Sequence, residues 1–162
     1  MVSQDEIKVR EILSSVTDPE IPVLTIEDLG IIREINVSGS TVKVTITPTY
    51  SGCPAMDHIA TDIKTALNDA GFVAEVISVL SPPWSSLWIS DNGRKKMEAY
   101  GIAAPLNATA DKKAIIGGAK VIKCTRCGST NTRMISQFGS TACKALFQCN
   151  DCLEPFDYFK CI

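Results

Sequence analysis

Ile7, Val9, Ile12, Leu13 and Val16 recur at roughly helical spacing behind the polar Ser3, which predicts a short amphipathic first helix. The pattern stops at Thr17-Asp18-Pro19-Glu20-Ile21-Pro22, because each proline pushes the residue before it out of the helical region. Ile31 to Val37 and Thr41 to Thr47 are β-rich runs, and Ser38-Gly39-Ser40 between them signals a hairpin. In the second run Val42, Val44 and Ile46 share one face, with Lys43 and Thr45 on the other. A loop over residues 47–54 follows. Met56, Ile59, Ala60, Ile63, Leu67 and Ala70 then form the apolar face of a helix that Gly71 ends. Phe72 to Leu80 reads as a third strand, broken by Ser81-Pro82-Pro83-Trp84. Asp91 to Tyr100 reads as a last short helix, closed by Gly101. Helix, two strands, helix, strand, helix predicts an α+β domain, a small sheet with helices packed on it.

The periodic pattern then fades. Residues 105–120 are rich in Ala, Gly, Lys and Asn and read as a linker. From Val121 the cysteine content rises and helical spacing disappears. Short β-rich stretches remain at Arg133 to Phe138, Ala145 to Gln148 and Phe156 to Lys160. The expected organisation is a domain at 3–104, a linker at 105–120 and a mostly β module at 121–162.

That module carries the strongest chemical signal. Cys124-Thr125-Arg126-Cys127-Gly128 and Cys149-Asn150-Asp151-Cys152 are two C-x-x-C knuckles, with 21 residues between Cys127 and Cys149. Two intervening residues let both thiolates of a knuckle reach one ion, and two knuckles complete a closed tetrahedral set. The expectation is a structural zinc ribbon held by Cys124, Cys127, Cys149 and Cys152. A redox dithiol pair and an iron site are the competing readings; paired knuckles favour metal over redox, and zinc over iron. Cys143 and Cys161 are left over and read as small buried thiols, with exchange ligands as the alternative.

Composition narrows the class. The chain has 162 residues, a formal net charge of −2 and 45% hydrophobic residues. No 18-residue apolar run and no secretory leader pattern is visible, so the expected compartment is the cytosol and no membrane partner is expected. Lys120, Lys123, Arg126 and Arg133 lie near the first knuckle, but Asp151, Glu154 and Asp157 surround the second. No basic stripe with interleaved aromatics tracks a phosphate backbone, which argues against nucleic acid.

In the first domain Cys53 follows a strand and a loop and precedes Pro54, a favoured helix-start residue. A sulfur there is expected near the N-cap, with a lowered pKa and the capacity to act as nucleophile or metal ligand, or merely to cap and pack. The single histidine, His58, lies on the same helix five residues on and is no natural base for Cys53. Asp18 and Glu20 are candidate acids or hard-metal ligands, although Asp-Pro-Glu also suits a turn.

Taken together, Asp18-Pro19-Glu20-Ile21-Pro22, Asp28-Leu29-Gly30-Ile31-Ile32 and Thr47-Pro48-Thr49-Tyr50-Ser51-Gly52-Cys53-Pro54 resemble the SufT-like domain of iron–sulfur assembly and targeting factors. Trp84-Ser85-Ser86-Leu87-Trp88-Ile89-Ser90, Gly93-Arg94-Lys95-Lys96, Tyr100-Gly101-Ile102-Ala103, residues 138–146 and residues 154–161 resemble the phenylacetate-degradation protein D (PaaD) family, nearly end to end. This resemblance implies an accessory or maturation factor of the phenylacetyl-CoA epoxidase system, not a catalyst alone. It implies help with iron or iron–sulfur centre assembly. It matches Cys53 to a reactive cysteine that binds iron or a cluster transiently, with Asp18 and Glu20 near it. The implied partners are the oxygenase and reductase components and the iron–sulfur assembly machinery; a second copy of the chain is a further candidate. A structural or catalytic-support component of the epoxidase, and a regulatory or nucleic-acid-binding ribbon, are the alternatives.

Overall fold

The computed structural model describes residues 2–105 and 122–159. These fall into two compact units that divide between Trp84 and Ser85.

In the first unit helix α1 spans Gln4–Leu13, and Ser3 caps it by accepting the Glu6 N–H at 3.1 Å. Val9 and Leu13 face the core, whereas Ile7, expected on the same face, is exposed. Strands β1 (Ile32–Ser38) and β2 (Thr41–Ile46) form the expected hairpin, and β3 (Val73–Ser78) adds parallel to β2. A parallel partner needs a crossover, and α2 (Ala55–Asp69) supplies it. β2 is therefore the central strand of the order β1-β2-β3. Val42, Val44 and Ile46 on β2 are fully covered, as are Ile59, Ile63 and Leu67 on α2. Fully burying such a side chain stabilises the fold by about 1.5–3 kcal/mol.

The stretch between α1 and β1 has no regular strand or helix, yet it is core. Val16, Ile21, Leu24, Ile26, Leu29 and Ile31 are all buried. Its backbone is tied by Ile26 N to Val16 O at 3.0 Å and by Thr47 N to Ile31 O at 2.9 Å. The Trp84 indole N–H donates to Leu29 O at 2.8 Å.

The second unit opens with a 3-10 turn at Ser86–Trp88, then α3 (Asp91–Tyr100), which Ser90 caps through the Gly93 N–H at 2.9 Å. A short strand, β4 (Ile102–Ala103), follows. β5 (Thr132–Ser136), β6 (Lys144–Cys149) and β7 (Pro155–Phe159) complete a sheet of order β4-β7-β6-β5. Residues 85–104, expected with the first domain, lie in this unit because Ile102 and Ala103 pair in parallel with Asp157 and Tyr158. All of the expected linker except Pro105 lies outside the described residues, as does Cys161. The core here is small and aromatic: Phe147 stacks on Phe156 with centroids 6.0 Å apart and meets Tyr158 edge-on at 5.8 Å. Among the described residues no helix is long and apolar enough to cross a membrane.

Candidate metal centre and thiol site

The two knuckles sit at matching places, one just ahead of β5 and one at the β6–β7 turn. Each ends in a left-handed residue that turns the chain back: Gly128 at φ 74° and Leu153 at φ 63°. Glycine adopts this conformation freely, whereas leucine does so only when held. Each knuckle also closes the same backbone bond, Cys124 N to Ser129 O at 2.9 Å and Cys149 N to Glu154 O at 3.0 Å.

This folding brings the sulfurs of Cys124, Cys127, Cys149 and Cys152 within 4.8 Å of one another. Cys124 Sγ is 3.6 Å from Cys152 Sγ, and Cys127 Sγ is 3.6 Å from Cys149 Sγ. A tetrahedral ion with metal–sulfur bonds of about 2.3 Å needs edges of about 3.8 Å. The donor set fits such an ion with only slight adjustment. Backbone N–H groups already point at the sulfurs, as from Arg126 to Cys124 at 3.4 Å and from Cys152 to Cys149 at 3.5 Å. The N–H of Cys152, with that of Asp151, pulls the Cys149 thiol down to about 7. Cys152 is pushed up to about 12: the Glu154 N–H opposes the rise, but desolvation and the neighbouring sulfurs prevail. Four thiolates cannot share this space unless a cation neutralises them, which couples metal binding to proton release. All four corners come from this chain, so the set is closed and leaves no open position.

Cys143 stands apart from this set. It is buried, and its sulfur lies 3.0 Å from Thr141 Oγ1.

Cys53 is the only cysteine of the first unit. It is half-buried. Residues 50–53 form a tight turn, closed by Cys53 N to Tyr50 O at 3.3 Å, with Gly52 at φ 78° in its third position. That is the position where such a turn calls for glycine. α2 begins at Ala55 with Pro54 as its cap, so Cys53 lies one residue ahead of the observed N-cap, near the helix start. The expected drop in thiol pKa does not occur. Burial pushes Cys53 up; the Ala55 N–H and the Tyr50 side chain pull it down; the negative charges of Glu20 and Asp18 push it up again. At this distance from the helix start, desolvation and two carboxylates outweigh the helix end.

Asp18 is buried and holds its own turn, Oδ1 accepting the N–H groups of Glu20 at 2.7 Å and Ile21 at 2.9 Å. The fold thus brings the acidic turn within electrostatic reach of Cys53, although the only described His, Cys, Asp and Glu cluster able to hold a metal is the ribbon's. His58 is exposed, 3.6 Å from Asp62 one helical turn on. Spacing alone does not single out Tyr50. The signal in the sequence is the Tyr-x-Gly-Cys turn, which places residues 50 and 53 side by side.

Comparison with known proteins fits both halves. Residues 6–79 match the family described as iron-sulfur cluster assembly protein. Residues 108–160 match the PaaD zinc beta ribbon domain. A protein of Escherichia coli (strain K12), provisionally named as one of the subunits of 1,2-phenylacetyl-CoA epoxidase, is 44% identical over 93% of this chain and 90% of its own. The chain belongs to the PaaD family. An Fe-S protein maturation auxiliary factor of Porphyromonas gingivalis is 33% identical, over 54% of this chain and 86% of its own. Among solved structures, a domain of unknown function (DUF59) from Bacillus anthracis superposes with a TM-score of 0.53 at 30% identity, covering 57% of this chain and 90% of that one. Both matches cover only part of this PaaD chain, whereas the E. coli relative spans nearly all of it.

Proposed function

We propose that this PaaD-family chain is a cytosolic accessory factor that helps to assemble an iron or iron–sulfur centre of a phenylacetyl-CoA epoxidase, and is not itself the oxygenase. The observation that carries this reading is the separation of two kinds of sulfur. One set is closed on itself and suited to a resident ion, which we assign as zinc. The other is a single half-buried thiol, Cys53, held protonated by burial and by Glu20 and Asp18. A resident zinc in the ribbon supplies folding free energy, on the order of 10–16 kcal/mol in small zinc modules. It supplies no open site for chemistry.

Cys53 then acts on the cargo, which is substrate and not cofactor. The thiol of half-buried Cys53 gives up its proton to solvent as its sulfur bonds a positively charged iron species. The same carboxylates that disfavour the free thiolate favour the arriving cation. A thiol poised in this way binds weakly and lets go, as a delivery step requires.

Cells producing the epoxidase components with Cys53→Ser in place of the native chain provide the test. The variant is expected to fold and keep its ribbon metal while the epoxidase components come out short of iron. Full iron content and full epoxidase activity would sink the proposal. The name of the E. coli relative favours a second reading, a stable subunit of the epoxidase complex. Leaving the chain out of an assay of already metallated components separates the two: turnover persists for a maturation factor and falls for a subunit.

A further inference from the structure

Backbone N–H groups two positions on act on the ribbon sulfurs, and Cys149 also takes the Cys152 N–H at 3.5 Å. Arg126 serves Cys124, with N to Sγ at 3.4 Å. Ser129 serves Cys127, Asp151 serves Cys149 and Glu154 serves Cys152. The side chains of these same four donors pair across the two knuckles. Arg126 Nη1 donates to Glu154 Oε2 at 2.9 Å, and the Ser129 hydroxyl donates to Asp151 Oδ2. The pairing follows the sulfurs. Arg126–Glu154 joins the donors of Cys124 and Cys152, which are 3.6 Å apart; Ser129–Asp151 joins the donors of Cys127 and Cys149, also 3.6 Å apart.

The geometry points to these two cross-knuckle pairs as the latch that sets how fast the ribbon releases its metal ion, with Arg126, Glu154, Ser129 and Asp151 as positioning residues. This rests on the ribbon holding a resident ion. For an ion to leave a closed four-sulfur set the knuckles must part, and each pair spans the line along which they part. While a pair holds, a sulfur that lets go is kept in place and rebinds.

The two halves of the latch differ in kind. Arg126 and Glu154 are an ion pair with side chains 67% and 38% exposed, so salt screens it. Ser129–Asp151 has a neutral donor and extends into a network. Asn131 Nδ2 donates to Asp151 Oδ1 at 2.8 Å, Asn150 Nδ2 donates to Asn131 Oδ1 at 3.0 Å, and Asn150 N–H donates to Asn131 O at 2.8 Å. Such a network responds little to salt. The Cys124/Cys152 edge is therefore the one that opens first as ionic strength rises.

The test is the rate at which a chromogenic chelator takes Zn²⁺, and separately Co²⁺, from the full chain at low and high salt. The sulfur-to-cobalt absorption reports whether the four-sulfur site is intact before release. The native chain is expected to release its ion about two- to fivefold faster at high salt, the scale of a surface ion pair. Arg126→Ala is expected to release faster at low salt by that factor and to lose the salt response. Ser129→Ala and Asp151→Asn are expected to release about tenfold faster at every salt concentration, with the salt response kept, the lower end of what groups around a metal's ligands contribute. The charge-reversed double variant Arg126→Glu with Glu154→Arg should regain the native rate and salt response, which a merely structural loss would not. Native release rates in all the single variants, or no rescue by charge reversal, would overturn the latch. A native chain that takes up neither ion overturns instead the ribbon reading on which it stands.

Discussion

The two units of this chain solve the problem of staying folded by different means. Residues 2–84 bury an aliphatic core drawn from α1, α2, β2 and the irregular stretch between α1 and β1. The ribbon sheet buries a handful of aromatics, chiefly Phe147, Phe156 and Tyr158, beside the four clustered knuckle sulfurs. A small, cysteine-rich sheet has too little apolar area to offset the entropy of ordering its chain, so cross-links or metals supply the difference. The contrast also divides the chemistry. Four sulfurs close on one another in the ribbon, and Cys53 belongs to the unit with the aliphatic core.

Removing the metal is the largest perturbation that this contrast predicts. Metal removal with a strong chelator, or Cys127→Ser, should abolish amide protection throughout β5, β6 and β7, because the lost binding free energy is on the order of 10–16 kcal/mol. Amides of α2 and β2 should keep their protection in the same hydrogen-exchange experiment. Loss of protection in both units together would erase the distinction between them.

The reciprocal experiment cuts a core side chain of the first unit. Ile63→Ala, at a fully buried position of α2, should cost about 2–5 kcal/mol in denaturant unfolding of that unit. The zinc content and the cobalt spectrum of the ribbon should be unchanged. A ribbon that loses metal in this variant would mean that the two units are energetically one.

The smallest expected effect concerns Cys53. Its thiol is raised by burial, and the charges of Glu20 and Asp18 add to the rise, so alkylation at Cys53 should set in at a higher pH than at an ordinary cysteine. Glu20→Gln removes one negative charge, which lowers the thiol pKa and moves the alkylation midpoint to lower pH. Site-resolved mass spectrometry of alkylated peptides reads this at Cys53 alone. An unmoved or raised midpoint would show that Glu20 does not act on the sulfur. Asp18 is the poorer target for this purpose, because Asp18→Asn also disturbs the turn that its Oδ1 holds.

Some of this was fixed by local order along the chain. Helical spacing marks α1 and α2, the glycine at 101 marks the end of α3, and alternation marks β2, because these depend on neighbours within a few residues. The knuckle spacing alone marks the four clustered sulfurs, since two intervening residues suffice to aim two sulfurs at one point. The tertiary structure decided what depends on distant partners. The core residues of the stretch before β1 follow no period, because no regular element carries them. β4 is only two residues long and exists because β7, more than 50 residues on, offers it hydrogen bonds. Local order puts a helix end beside Cys53 and predicts a lowered thiol; the fold adds burial and two carboxylates from a turn some 35 residues earlier, and the sign reverses. The same holds in the ribbon: Arg126, Asp151 and Glu154 look like a scattered charged edge in the sequence, and only folding pairs Arg126 with Glu154 and Ser129 with Asp151 across the two knuckles.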